Sequence, residues 1–154
     1  MSALSFSRSK LVGVEKKDAN TLKAHGFLED YIYCMEIDVE VDVTSFKITA
    51  ISGQMNRVTT SECHRAIAVL QNAVGLDITE KDFARTVNRV IARAGCLHFG
   101  SLLVECCDSI MQAIIFNDLE KDGFKYMEID KSYAKDKAGT LTGLKNSCIA
   151  YTDQ

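Results

Sequence analysis

The stretch Tyr31-Ile32-Tyr33-Cys34-Met35-Glu36-Ile37-Asp38-Val39-Glu40-Val41-Asp42-Val43 decides the fold. Tyr31, Tyr33, Met35, Ile37, Val39, Val41 and Val43 point one way, and Cys34, Glu36, Asp38, Glu40 and Asp42 point the other. A period of two gives an extended strand one apolar and one charged face, as in an antiparallel sheet with one side buried and one wet. Thr44-Ser45 breaks the alternation. Phe46-Lys47-Ile48-Thr49-Ala50-Ile51 resumes it, with Phe46, Ile48 and Ala50 on one side, so a hairpin is predicted. Upstream, residues 10–14 and 21–28 are weaker strand candidates joined by a polar turn at 16–20. The acidic face reads as solvated, because alternate carboxylates on one strand project in parallel and a Ca²⁺ site usually needs a loop that wraps the ion.

Beyond Arg57 the period lengthens to that of a helix. Thr59 and Glu62 have capping-box spacing, and Cys63, Ala66, Ile67, Leu70, Ala73 and Val74 form an apolar stripe that Gly75 ends. Thr79 is placed to cap a second helix with Phe83, Val87, Val90, Ile91 and Ala94 on its apolar face, closed by Gly95. The third stripe is the strongest: Phe99, Leu102, Leu103, Cys106, Ile110, Ala113 and Ile114, opposite Ser101, Glu105, Asp108 and Gln112. Past Asn117 the pattern fades, with 124–129 a further strand candidate. The chain therefore reads as one domain over 1–117 and a partly irregular C-terminal extension over 118–154. Strands first and helices after predict an α+β domain, an N-terminal antiparallel sheet followed by three helices packed on one face.

Composition narrows the classes. With 154 residues, 47% of them hydrophobic, the chain can bury a core without staples. Eighteen basic against 21 acidic residues give a net charge of −3, with no Lys/Arg cluster, so no nucleic-acid partner is expected. No uninterrupted apolar run approaches the ~20 residues of a membrane helix. The opening residues show no basic segment followed by an apolar one, so the expectation is a cytoplasmic protein with reduced thiols, without a membrane partner. A protein partner or a homodimer is expected, with the extension as a segment that docks a partner.

Six cysteines stand out: Cys34, Cys63, Cys96, Cys106, Cys107 and Cys148. Gly95-Cys96-Leu97-His98 precedes the longest helix, and Cys63-His64 repeats the arrangement at the first. A thiol at a helix start meets unpaired N–H groups that favour the thiolate, the form that binds metal or attacks electrophiles. Cys63, Cys96 and either His98 or His64 would supply a soft S/N donor set suited to zinc or an iron–sulfur cluster. Arg57 is a candidate for stabilising a thiolate or an anion. Cys106 falls on an apolar stripe and reads as core. Phosphate-binding glycine loops, nucleophile elbows and H-E-x-x-H are absent from the sequence.

Residues 25–30 (His25-Gly26-Phe27-Leu28-Glu29-Asp30), Met35, Met55-x-Arg57, Cys63, Val74-Gly75-Leu76-x-Ile78, Gly95-Cys96-x-His98, Leu102-Leu103 and Gln112-Ala113 together resemble the prokaryotic domain-of-unknown-function family 2889. That family shows a histidine two before the methionine where this chain has Tyr33. The order of sheet, helix-start cysteine, Gly-terminated helix and cysteine before a long last helix is also similar to NifU/IscU-type iron–sulfur scaffolds. That likeness implies a cluster held by three cysteines with a nearby carboxylate or histidine, Cys63 and Cys96 being the second and third. The scaffold pattern has Cys-Gly-Asp before its strand; here Asp30 precedes Tyr31 without Cys-Gly, which leaves Cys34 as the candidate first cysteine.

Three readings stay open. The first is a metal- or iron–sulfur-binding scaffold-like domain; the second is a non-catalytic interaction or small-ligand module with structural cysteines. The third is a thiol enzyme with Cys96 as nucleophile.

Overall fold

The computed structural model describes residues 5–121 and Ile149; the strand candidate at 124–129 and Cys148 lie outside the described residues. Compactness divides the chain into two units, Met1–Met111 and Gln112–Gln154. The first holds a four-stranded antiparallel meander, β1 (Arg8–Lys16), β2 (Thr21–Asp30), β3 (Cys34–Asp42) and β4 (Lys47–Arg57), in spatial order β1-β2-β3-β4. Three helical elements follow. Helix α1 (Ala66–Val69) lies between 3₁₀ turns at Ser61–Arg65 and Leu70–Ala73. Helix α2 (Phe83–Val87) continues into a π-helical turn, Asn88–Ala92, and α3 spans Leu97–Lys121. The α+β class, sheet first and helices after, is as the residue patterns predict.

Each tight connection is built on an aspartate. The Asp18 carboxylate accepts the Asn20 N–H between β1 and β2, Asp30 accepts from Ile32 and Tyr33 between β2 and β3, and Asp42 accepts from Thr44 and Ser45 between β3 and β4. Short acidic side chains close such turns by standing in for a backbone acceptor.

The buried face carries Leu22, Ala24 and Leu28 of β2, Met35, Ile37, Val39 and Val41 of β3, and Ile48, Ile51 and Met55 of β4. Ala50 was expected beside Ile48 but is exposed. Val41 pairs with Ile48 and Glu40 with Ala50, so Thr49 is left over as a β-bulge. The extra residue inverts the in/out phase for the rest of β4 and turns Ile51 and Met55 inward. On the opposite face the β3 carboxylates meet basic side chains: Lys17 with Glu40 at 2.7 Å, Lys23 with Asp38 at 3.3 Å and His25 Nδ1 with Asp38 at 2.9 Å.

Phe99, Leu102, Leu103, Cys106 and Ile110 of α3 are completely buried. Each large apolar side chain withdrawn from water contributes roughly 1.5–3 kcal/mol. Gly26 of β2 lets the helix approach, since a Cβ there would stand 2.5 Å from Cys106 Sγ and 3.1 Å from Leu102 Cγ. By length and composition, the segment Leu97–Asn117 is apolar enough to cross a membrane, with mean hydropathy 1.5, although charged residues interrupt its apolar runs. In this fold 44% of that stretch is buried.

Candidate functional site

Cys63 sits in the 3₁₀ turn Ser61–Arg65, which has no buried residue of its own. The helix start is Thr60 rather than Thr59, and neither hydroxyl caps the backbone. Both turn to sulfur instead: Thr59 Oγ1 lies 3.5 Å and Thr60 Oγ1 3.8 Å from Cys63 Sγ. The Thr59 hydroxyl, then the Thr60 N–H and hydroxyl, lower the Cys63 thiol from the ordinary 9.0 to about 7, because each stabilises the anion. Thr59, which fits a capping box with Glu62, thus serves the thiolate instead.

Cys96 lies at the corner between α2 and α3. The π-helical turn inserts one residue into the α2 repeat, so Phe83, Val87, Ile91 and Ala92 are buried and Ala94, the expected inward residue, is exposed. The Gly95 and Cys96 N–H groups both return to the Ile91 carbonyl, and the Cys96 carbonyl accepts from Gly100 to start α3. A Cβ on Gly95 would come 3.0 Å from Val69 Cβ, so glycine lets this corner lie against the helical run that carries Cys63.

The two halves meet at one cleft of about 490 Å³. Cys63, Cys96, His98 and Tyr33 line it, with Met55, Ala66, Val69 and Leu97 as apolar wall and Glu62 and Arg65 at its edge. Both cysteines are half-buried free thiols.

His98 is held from three sides. Its Nδ1 lies 3.9 Å from Cys96 Sγ, its ring centroid is 4.2 Å from that of Tyr33, and its Nε2 is 3.0 Å from Arg8 Nη2. Arg8 in turn gives Nε and Nη2 to Asp30 Oδ2 at 2.8 and 2.6 Å. The Asp30 side chain is wholly buried, its other oxygen filled by the Ile32 and Tyr33 N–H groups at 2.7 Å each. Burial alone would raise the Asp30 carboxyl, but these donors hold it below the ordinary range. A guanidinium only donates, so Nε2 of His98 is the acceptor and the ring proton sits on Nδ1, facing Cys96. Burial first, then the Arg8 cation, depresses the imidazole pKa, which keeps the ring neutral.

The remaining predicted residues are elsewhere. His64 is exposed and donates from Nδ1 to the Ser61 carbonyl at 3.2 Å, outside the cleft lining. Cys34, on β3, pairs in register with Glu29 and Arg57 and does not line the cleft. Arg57 binds Glu29 at 3.0 Å and the Asp30 carbonyl, so it meets neither thiol nor anion pocket. Asp30 acts at one remove, through Arg8. Cys106 and Cys107 are buried in α3.

Among the described residues no group of three or more His, Cys, Asp or Glu side chains is arranged to hold a metal ion. The expected donor set of Cys63, Cys96 and His98 or His64 is not among such groups. In His98, Nε2 is engaged by Arg8 and Nδ1 faces Cys96 Sγ. Arg8, Tyr33, Thr59 and Thr60 are the site residues that sequence reasoning missed. The Cys96-x-His98 spacing was visible in the chain, whereas Arg8 lies 90 residues from its partner.

The fold and cleft define a small α+β domain with two thiols at one opening. Residues 9–112 match the family described as Protein of unknown function (DUF2889), and the chain belongs to that family. No curated protein and no solved structure matches the chain, and the expected NifU/IscU likeness is not shown.

Proposed function

We propose that this domain is a small-ligand-binding module whose cleft captures a thiol-reactive ligand on Cys63. One observation carries the reading: a thiol lowered to about 7 by threonine hydroxyls and an amide opens on a cleft of about 490 Å³ with an apolar wall. A thiolate half-formed at neutral pH is the nucleophilic state of cysteine, and pockets of this size accept small molecules. Met55, Val69 and Leu97 favour a partly apolar ligand, and Arg65 at the edge is paired with Glu62 at 2.9 Å, so the rim adds no net charge. The cysteines expected as structural or as metal ligands thus divide: Cys63 reacts, Cys96 faces the same space, and Cys106 and Cys107 pack the core.

The test compares iodoacetamide with N-benzyl iodoacetamide on the full chain, mapping adducts by peptide mass spectrometry. Cys63 should react ahead of Cys34, with a pH midpoint near 7, and the benzyl probe should show saturation as its concentration rises. A midpoint near that of an ordinary thiol, or a strictly linear dependence on both probes, overturns the proposal.

A further inference from the structure

We infer that Cys63 and Cys96 work as a pair that exchanges with small disulfides, Cys63 attacking and Cys96 resolving. The inference rests on Cys63 being the nucleophile of the cleft, and adds the ligand class and the second thiol.

Four observations carry it. Both sulfurs belong to free thiols lining one cleft. The α2–α3 corner bearing Cys96 lies against Val69, in the helical run that carries Cys63. The turn Ser61–Arg65 has no buried side chain and no side-chain cap, so none of its own side chains ties it to the core. A disulfide requires Cα atoms within about 4.4–6.8 Å, so the pairing calls on this turn to carry Cys63 to Cys96. Lastly, Cys96 Sγ has a polar neighbour in the cleft, His98 Nδ1 at 3.9 Å. Among the other described cysteines, Cys106 and Cys107 are buried and Cys34 lies off the cleft.

The chemistry balances with the disulfide RSSR as oxidant. Cys63 thiolate attacks one sulfur of RSSR; a Cys63–SR bond forms, the S–S bond breaks and RS⁻ leaves. Cys96 thiolate then attacks Cys63 Sγ, forming the Cys63–Cys96 bond and expelling the second RS⁻. The two thiolates take up the protons that the cysteines released. The protein dithiol has lost two electrons and RSSR has gained them.

The experiment treats the reduced full chain with glutathione disulfide at pH 7 and maps the products without reduction. Wild type should end as a Cys63–Cys96 disulfide with no lasting adduct. Cys96→Ser should stop at a stable glutathione adduct on Cys63, and Cys63→Ser should leave Cys96 unmodified, both variants keeping the wild-type melting temperature. A lasting Cys63 adduct in wild type, or a disulfide joining Cys63 to any other cysteine, overturns the inference. The iodoacetamide profile then separates the two failures. A Cys63 midpoint near 7 with a lasting adduct removes only the exchange; an ordinary midpoint removes the nucleophile as well.

Discussion

Arg8 Nη2 stands 3.0 Å from His98 Nε2, and that contact fixes which nitrogen of the imidazole carries its proton. Protonating Nε2 would set an N–H against a guanidinium N–H, so the ring stays in the Nδ1–H form. Nitrogen NMR of the full chain at pH 7 should therefore show His98 protonated on Nδ1. Arg8→Gln should lift the depressed His98 pKa towards or past its ordinary 6.5, since one of the cations that lower it is removed. A mixture of tautomers in wild type, or an unmoved titration in the variant, contradicts the assignment. The sign for stability follows: a folded pKa below the unfolded one means the unfolded chain binds the proton first. The contribution is complete above 6.5 and is lost as pH falls through the folded value.

Thr59→Val removes the largest cause of the Cys63 shift. The alkylation midpoint should move from about 7 towards 9.0, and the rate at pH 7 should fall several-fold as the thiolate fraction shrinks. The stabilisation supplied by the thiolate is full above 9.0 and disappears as pH drops through about 7. Thr59→Ser should keep most of the effect, because the hydroxyl rather than the methyl acts on sulfur.

Asp30→Asn tests the base of the same assembly. Whichever way the amide turns, its NH₂ faces a donor, either Arg8 or the Ile32 and Tyr33 N–H groups. A loss of about 1–3 kcal/mol in urea unfolding at pH 7 is expected for a buried acceptor removed from charged and backbone donors. In wild type the ionised carboxylate stabilises fully above 3.8 and progressively less as pH falls through its lower folded value. The variant should lack that acid slope.

Gly26→Ala should cost about 1–3 kcal/mol, since its methyl would enter the space of Cys106 Sγ and crowd Leu102. Adding Cys106→Ala should return part of the loss, so the double variant is less destabilised than the sum of the singles. Additive behaviour in a denaturation cycle would show that α3 does not press on β2 here.

The sheet was legible because alternation over β3 admits only one buried face, and the same pattern carried β1 and β2 at lower contrast. Where the phase slipped, nothing in the residues announced it. Thr49 forms a bulge without a glycine or proline to mark it, and the π-helical turn at Asn88–Ala92 exchanges Ala94 for Ala92 in the core. In the site, Cys96 and His98 are neighbours along the chain and could be paired on sight. Threonines before a helix signal a cap by residue type alone, and only tertiary geometry reveals that they face sulfur. The Arg8–His98–Asp30 link spans strand and helix ends that no local rule connects.

Burial drives the Cys106 thiol up to about 12 and Cys107 well above 9.0, so both are shut to alkylation while α3 rests on the sheet. Adjacent in sequence and sealed together, they form an internal gauge of local opening. The rate at which they become modified measures how often the helix lifts away, a quantity that exchange at backbone amides would otherwise have to supply. One labelling course on native protein thus reports the chemistry of the cleft in its early phase and the breathing of the core in its late one.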